Sequence, residues 1–317
     1  MLRVVEEDEV VRLIDRRAAV DVIETVYREA ASGGAAVSQP SALGLRGARG
    51  SGVEFKVKGA VIDSLGVAGL RVIGDGANLP EGSRAYVHLF DATTAAPLGL
   101  IAERALHRVR TAVTGLVACR ALAPPRATAI ALVGTGRIAE EFVRCAVAVF
   151  PSATIIVASR DAARARDAAR RWQMHARNPL RPAATIAAAV AEAPIVVTLT
   201  DAAETLFTAR DLGPPKLVCG MGGRHEFDAD VLAAAGAFVV DELDFVCTVG
   251  SGAHWIRSGQ LTREQIAARL DANIGEVLLG RKRIATDGVT LAIIQGMAVC
   301  DVALAKTVFD RIQEAGG

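Results

Sequence analysis

An apolar strand that runs into a glycine turn and straight out into a helix constrains this chain more than any other feature: 130-IALVGTGRIAEEF-142. Residues Gly134, Thr135, Gly136, Arg137, Ile138 and Ala139 spell GxGxxA. In a dinucleotide-binding turn the first glycine permits the tight bend, the second lets the backbone approach a pyrophosphate, and the small third position lets helix pack on strand. The N–H groups opening the helix then face the anion. A second apolar strand, 154-TIIVASR-160, follows at the spacing such a unit requires. It ends on Ala158-Ser159-Arg160-Asp161, where NAD-binding turns carry an acidic residue for the ribose. A hydroxyl followed by a guanidinium suits a 2′-phosphate, so Ser159, Arg160 and nearby Arg164 favour NADP, while Asp161 keeps NAD open. Thr198 and Thr200, closing 195-IVVTLT-200, either line the crevice beside the nicotinamide ribose or are ordinary strand-end threonines.

Strand and helix alternate throughout the region around this turn, which predicts a parallel sheet. Helices are expected at 137–150, 162–172, 185–193 and 228–236, with strands at 128–134, 195–200, 216–221 and 237–242. The texture before residue 104 is different. A helix or helix pair over 8–32 stops at Gly33-Gly34, and four β-prone runs follow at 53–61, 67–74, 84–92 and 97–103. A helix over 104–122 is stopped by Pro124-Pro125, and a long helical tail is expected from Leu291 to Ala315. The fold class is therefore α/β, a Rossmann domain over 123–293 inserted into an α+β domain made of 1–122 and 294–317.

Charge and composition remove several function classes. Thirty-six basic residues against 35 acidic ones give a net charge of +1, with no excess positive field for nucleic acid or an anionic membrane. No apolar run has membrane-spanning length, and acidic residues in MLRVVEEDEVV stand where a signal peptide needs a basic start. The five cysteines are scattered without a CxxC pair, as expected for a reducing, cytoplasmic setting. His88, His107, His175 and His254 show no HxH or HExxH spacing, so they read as structural and no metal site is expected.

Taken together, the β-meander, 108-RVRTAVTGLVACRAL-122, the GTG turn, the GMGGRHEFD segment and 287-DGVTLAIIQGMAVCDVALAK-306 resemble the ornithine cyclodeaminase/μ-crystallin family. The resemblance spans nearly the whole chain; Arg110-Thr111-Ala112 and Gly296…Asp301 are its most specific pieces. It implies a substrate-binding and dimerisation domain around the Rossmann domain, hydride exchange at the α-carbon of a small amino or imino acid, and a homodimer. It also implies that Arg110 clamps the substrate carboxylate; independently, an arginine in a partly apolar helix needs some anion partner, and a carboxylate of the chain itself is the alternative. Arg71 stands where the family has a lysine, and Lys58 lies near the same pocket in the family layout, as a catalytic amine or as a surface lysine of a strand. The resemblance further implies that Thr111, Met221 and Gly296 fall along the cofactor.

One departure bears on the reaction. Family cyclodeaminases carry an acid–base aspartate in the loop that reads Met221-Gly222-Gly223-Arg224-His225-Glu226-Phe227 here, and this loop has none. His225 is either its substitute or a surface or capping histidine. The expectation is thus an NAD(P)-dependent imine reductase or amino-acid dehydrogenase. The alternatives are a cyclodeaminase using bound NAD, an opine-type synthase, and a non-catalytic NADP-binding protein like μ-crystallin.

Overall fold

The computed structural model describes residues 2–47, 53–75, 85–213 and 215–316. The chain forms two compact units, Met1–Arg110 with Gly296–Gly317, and Thr111–Gln295. The first crossing therefore falls between Arg110 and Thr111, inside a helix, and not at the proline pair: proline ends the helix but not the unit.

The first unit opens with β1 (Arg3–Val5), α1 (Glu7–Leu13) and α2 (Arg16–Ser32). Asp15 caps α2 by accepting from the Arg17 and Ala18 backbone N–H at 2.9 and 3.1 Å, and its apolar face buries Val20, Ile23, Val26 and Tyr27. Strands β2 (Ala35–Val37), β3 (Leu43–Arg46), β4 (Glu54–Ile62), β5 (Val67–Asp75), β6 (Tyr86–Asp91) and β7 (Pro97–Ala102) then lead into α3 (Arg104–Leu122). Arg84, at the start of one expected strand, lies outside the described residues. The sheet runs β1-β7-β6-β5-β4-β2 with β3 also on β4, antiparallel except for β1 on β7. In the β4–β5 register Lys58 stands opposite Arg71. Alternation then sends Lys58, Ala60, Ile62 and Arg71 to a buried face and leaves Phe55, Val61 and Leu70 exposed on the other, beside exposed Leu43 and Leu45 of β3.

The second unit is a doubly wound sheet. Its elements are β8 (Ala129–Val133), α4 (Arg137–Ala146), β9 (Thr154–Ala158), α5 (Ala162–Trp172), β10 (Leu180–Pro182), α6 (Ile186–Glu192), β11 (Ile195–Thr198), β12 (Lys216–Gly220) and α7 (Ala229–Ala234). β13 (Ala237–Val240), α8 (Leu243–Val246), α9 (Gly250–Arg257), α10 (Arg263–Ala268), β14 (Ala272–Asn273), α11 (Ile274–Leu278) and β15 (Val289–Ile293) follow. The strands are all parallel in the order β10-β9-β8-β11-β12-β15-β13-β14. Being covered on both faces, β8, β9, β11, β12, β13 and β15 read as continuous apolar runs. The winding reverses between β8 and β11, and the carboxyl ends of these two strands flank the crevice where such sheets take their ligands.

The last residues correct the sequence reading. Residues 289–293 are a strand between β12 and β13, and the tail helix α12 starts only at Ala298 and runs to Gly316. An unbroken apolar run such as VTLAII has no period to separate buried strand from buried helix, and its β-branched residues decide for the strand. α12 belongs to the first unit and packs on α2, β4 and β5. Among the described residues no helix is long and apolar enough to cross a membrane.

Candidate active site

In the first unit, three cations and two carboxylates converge. Glu103, His107 and Arg110 share one face of α3 and the residue before it, at i, i+4 and i+7. Arg110, fully enclosed, donates from Nε to Asp301 Oδ1 at 2.7 Å, and its Nη2 lies 3.1 Å from His107 Nδ1. Arg71 turns two guanidinium nitrogens on Glu103 Oε1, the Nε at 2.6 Å, and its Nε is 3.8 Å from Asp301 Oδ1. Lys58, its cross-strand neighbour, donates from Nζ to the Gly296 carbonyl at 2.6 Å. Asp301 sits in the first turn of α12, where the helix dipole favours an anion, and its Oδ2 is buried with no hydrogen-bond partner among the described residues.

Gly296 is fixed by sterics. Its φ is +82°, and a Cβ there would run into Arg110 Nη1. The sequence put Gly296 along the cofactor; the structure seats it against the Arg110 guanidinium, in the other unit from the glycine turn.

Burial would raise the Asp301 carboxyl, but the guanidinia of Arg110 and Arg71 and the Lys58 ammonium outweigh it and hold Asp301 below the usual range. Glu103 goes the other way, its desolvation exceeding the pull of Arg71. Desolvation and the cations Arg71, Arg110, Lys58 and Arg108 push His107 well below the ordinary histidine range. With 32% of the His107 side chain still exposed, the cations are the firmer cause. His107 is therefore neutral at pH 7, and its Nδ1 accepts from Arg110.

In the second unit, β8 delivers Gly134 at φ +133°, where a Cβ would strike the Leu199 carbonyl. Gly136 is the N-cap of α4 with no side-chain cap, and open space lies where its Cβ would be. A backbone approach and unspent helix N–H groups are what a pyrophosphate needs, so the turn fits a dinucleotide. Arg137 and Ile138 form the first turn of α4, the former exposed, and Ala139 is buried against the sheet. A cavity of about 330 Å³ beside the turn is lined by Thr135, Gly136, Ser159, Arg160, Arg164 and Thr200 among others. Asp161 is not among its walls: β9 ends at Ala158, and Asp161 caps α5 by accepting from Ala163 N at 2.8 Å and Arg164 N at 3.4 Å. Arg160 lies 3.6 Å from Glu204, an exposed pair of little energetic weight.

Thr198 points its hydroxyl at Glu226, Oγ1 to Oε2 at 2.6 Å. Glu226 also receives Thr200 Oγ1 at 2.7 Å, Thr200 N at 3.1 Å and Gly222 N at 2.8 Å, tying the end of β11 to the loop after β12. Desolvation raises its pKa against these four donors. Met221 is buried with its thioether against Gly115 of α3, and Thr111 is buried in the same helix. His225 is drawn into a separate cluster: its Nε2 lies 3.1 Å from Asp228 Oδ1, and its ring stacks on His254.

Lys58, Arg71 and Arg110 are thus brought together, and so are Gly134, Thr135, Gly136, Ser159, Arg160 and Arg164. Sequence reasoning gives no role to Glu103 and Glu226, names Asp301 only as part of the family pattern, and reads His107 as structural. Glu103 and His107 have a readable signal, since both fall on the helix face of Arg110.

The model of the ornithine cyclodeaminase/mu-crystallin family matches residues 2–316. The chain is 25% identical to a Delta(1)-pyrroline-2-carboxylate reductase of Bacillus cereus, across 81% of each protein. It is also 25% identical to the iminosuccinate reductase of Paracoccus denitrificans, across 99% of this chain and 97% of that one. The crystal structure of the Paracoccus denitrificans iminosuccinate reductase in complex with NAD+ matches with a TM-score of 0.84 at 25% identity, covering 99% of this chain and 97% of that chain. An archaeal alanine dehydrogenase dimer with bound NAD shares the fold at a TM-score of 0.88 and 21% identity, covering 100% of this chain and 97% of that chain. With a family match from residue 2 to residue 316, the chain belongs to the ornithine cyclodeaminase/mu-crystallin family.

Proposed function

We propose that this protein is an NAD(P)H-dependent reductase of imines at the α-carbon of small amino acids, able to run in reverse as an amine dehydrogenase. The convergence of cationic side chains in the first unit carries the reading. Lys58, Arg71 and Arg110 bring three cationic side chains to one buried place, where Glu103 and Asp301 brace the two guanidinia and fix their planes, an arrangement suited to gripping a substrate carboxylate.

Within this reading Arg110 and Arg71 orient the carboxylate, each already braced by an acidic partner that fixes its plane. Lys58, braced by the Gly296 carbonyl, gives the proton that the imine nitrogen takes on as it becomes an amine. The nicotinamide supplies the hydride when bound. Thr135, Gly136 and the first turn of α4 hold the pyrophosphate, and the Glu226 clip keeps the ends of β11 and β12 in register beside it. His225 is engaged by Asp228, and the loop has no aspartate, which supports reduction over ammonia elimination. The reductase names among the relatives support the same class.

NADP is the proposed cofactor. Ser159, Arg160 and Arg164 wall the pocket, and the carboxylate placed to hold ribose hydroxyls, Asp161, is spent on capping α5. A homodimer through the exposed face of β3, β4 and β5 is supported by the apolar run Leu43, Leu45, Phe55, Val61 and Leu70 and by the alanine dehydrogenase dimer of the same fold. Five unbridged thiols support a reducing, cytoplasmic setting.

The test offers NADPH and NADH with a cyclic imino acid such as pyrroline-2-carboxylate, and with α-keto acids plus amines, while ammonia is assayed from ornithine and lysine. Cofactor oxidation that needs the substrate carboxylate is expected. Ammonia release from ornithine without net cofactor change would overturn the reductase reading.

A further inference from the structure

We propose that His225, Asp228 and His254 form a binding site for one divalent ion of the zinc class, with the fourth position left to water. Nothing in the reaction above uses this cluster, and the sequence hides it because His254 lies far along the chain from the other two. Fold contacts bring it together. The loop carrying His225 and Asp228 is pinned to α9 where Trp255, fully buried, donates its Nε1–H to the Phe227 carbonyl at 2.9 Å. That bond fixes His254, the residue before Trp255, next to His225, and the two imidazoles lie ring on ring with centroids 3.6 Å apart and planes 5° from parallel.

The donor atoms are spaced for a small ion. A tetrahedral zinc with bonds of about 2.0–2.1 Å sets its ligand atoms roughly 3.3 Å apart. His225 Nε2 and Asp228 Oδ1 are already 3.1 Å apart, and one ligand atom from each of the three residues falls within 4.8 Å of the others. An imidazole lone pair lies in the ring plane, so His254 must tilt out of the stack to bind, and its half-buried position leaves it room to do so.

Asp228 is turned toward this cluster in an unusual way. It occupies the N-cap of α7, where an aspartate normally accepts from the helix N–H groups, yet its side chain makes no cap bond. Gln260 takes over one of those donors, accepting from Ala229 N at 2.9 Å, and returns its amide to Asp228 Oδ1 at 3.0 Å. Thr205 Oγ1 donates to Asp228 Oδ2 at 2.6 Å. The carboxylate is thus oriented by two further residues, the outer support that metal-bound carboxylates require. The carboxylate is a hard donor, but two borderline imidazoles beside it favour zinc, cobalt or nickel over calcium or magnesium, which take oxygen ligands. Binding through Nε2 would leave the His225 proton on Nδ1, the neutral tautomer whose Nε2 lone pair is free for the metal, and would take the place of the contact with Asp228 Oδ1.

The site adjoins the dinucleotide pocket within the same unit, since Leu206, the neighbour of Thr205, lines that pocket. An ion there braces the segment 201–206.

The test uses the full chain without an affinity tag, stripped with a chelator and titrated with Zn²⁺ by calorimetry and with Co²⁺ by visible absorption. One equivalent of Zn²⁺, a Co²⁺ spectrum of tetrahedral type and a raised Tm are expected. His254→Ala and Asp228→Asn should each weaken Zn²⁺ binding by about tenfold or more. His254 is half-buried at the surface of α9, so its variant folds even where the Asp228 variant does not, and thermal unfolding of the metal-free forms checks this. Less than stoichiometric binding by the parent chain, or unchanged affinity in His254→Ala, which would move the metal to thiols elsewhere, overturns the proposal.

Discussion

Gly296→Ala separates the carboxylate clamp from the rest of the protein. Two costs add. An L-residue held at φ +82° loses about 1–2 kcal/mol to its own backbone. The new methyl also occupies the place of Arg110 Nη1, so the guanidinium must move and its charge-assisted bond to Asp301, worth about 1.5–3 kcal/mol, is lost or distorted. The expected loss is about 2.5–5 kcal/mol, within what a folded protein of ordinary stability survives. Catalysis suffers separately, because a displacement of about 1 Å at a positioning group reduces rate by about 10²-fold. Urea unfolding measures the first effect, and imine reduction followed by nicotinamide absorbance measures the second. NADPH affinity should stay within about twofold of the parent, since the glycine turn and its arginines belong to the other unit. Gly288→Ala, at ordinary φ and with open space around the added Cβ, is the control and should cost less than about 0.5 kcal/mol. A Gly296→Ala protein with parental kcat/KM and a stability loss under about 1 kcal/mol would refute the reasoning.

Arg160→Ala and Arg164→Ala should each weaken NADPH by about tenfold and leave NADH within about twofold, read from KM for both cofactors; equal losses for the two would remove the 2′-phosphate assignment. Glu226→Ala should cost about 3–5 kcal/mol in unfolding free energy, because it strands the Thr198, Thr200 and Gly222 donors, whereas Glu226→Gln should recover part of that loss. His107 has a folded pKa below its unfolded value, so the unfolded chain binds the proton first and stability falls as pH drops below about 6.5, by up to about 1.4 kcal/mol per pH unit. His107→Asn should flatten that part of the stability-against-pH curve, and an unchanged slope would show that the histidine titrates normally. Phe55→Asp with Leu70→Asp, on the exposed face of β4 and β5, should give a monomer by sedimentation; a persisting dimer would put the interface elsewhere.

Much of the fold was legible because its strongest elements have a clear period or punctuation. The helix α3 was bounded at both ends, by the strand texture before Arg104 and by Pro124-Pro125 after Leu122, and the GTG turn identified β8 and α4 together. The strand β15 was read as helix because a fully buried strand and a buried helix look alike over a few residues, and its neighbours β12 and β13 are remote in sequence. The short β1, β2, β10 and β14 owe their existence to pairing with a longer neighbour and leave no signal of their own. At the site, cationic residues were easier to find than their partners. Arg110 stands out as an arginine in an apolar helix, whereas Asp301, marked only as part of the family pattern, acquires a role once α12 brings it to 2.7 Å from that arginine. The same holds for His225 and His254, whose meeting depends on the Trp255 bond to the Phe227 carbonyl.

The place of β15 has a bearing on how the molecule is made. The strand leaves the ribosome after every other described strand of its sheet, yet it fills the gap between β12 and β13 and joins the β13–β14 pair to the rest. Until residue 293 has emerged, two apolar strand edges stay open in the middle of the sheet, an interval of several seconds after β12 at about 5–20 residues per second. The first unit waits longer still, because α12 supplies Asp301 and closes the helix layer over β4 and β5. Nascent chains stalled before β15 are therefore the species most exposed to aggregation and most in need of a holding chaperone, and the stretch from Val289 onward acts as the latch of both units.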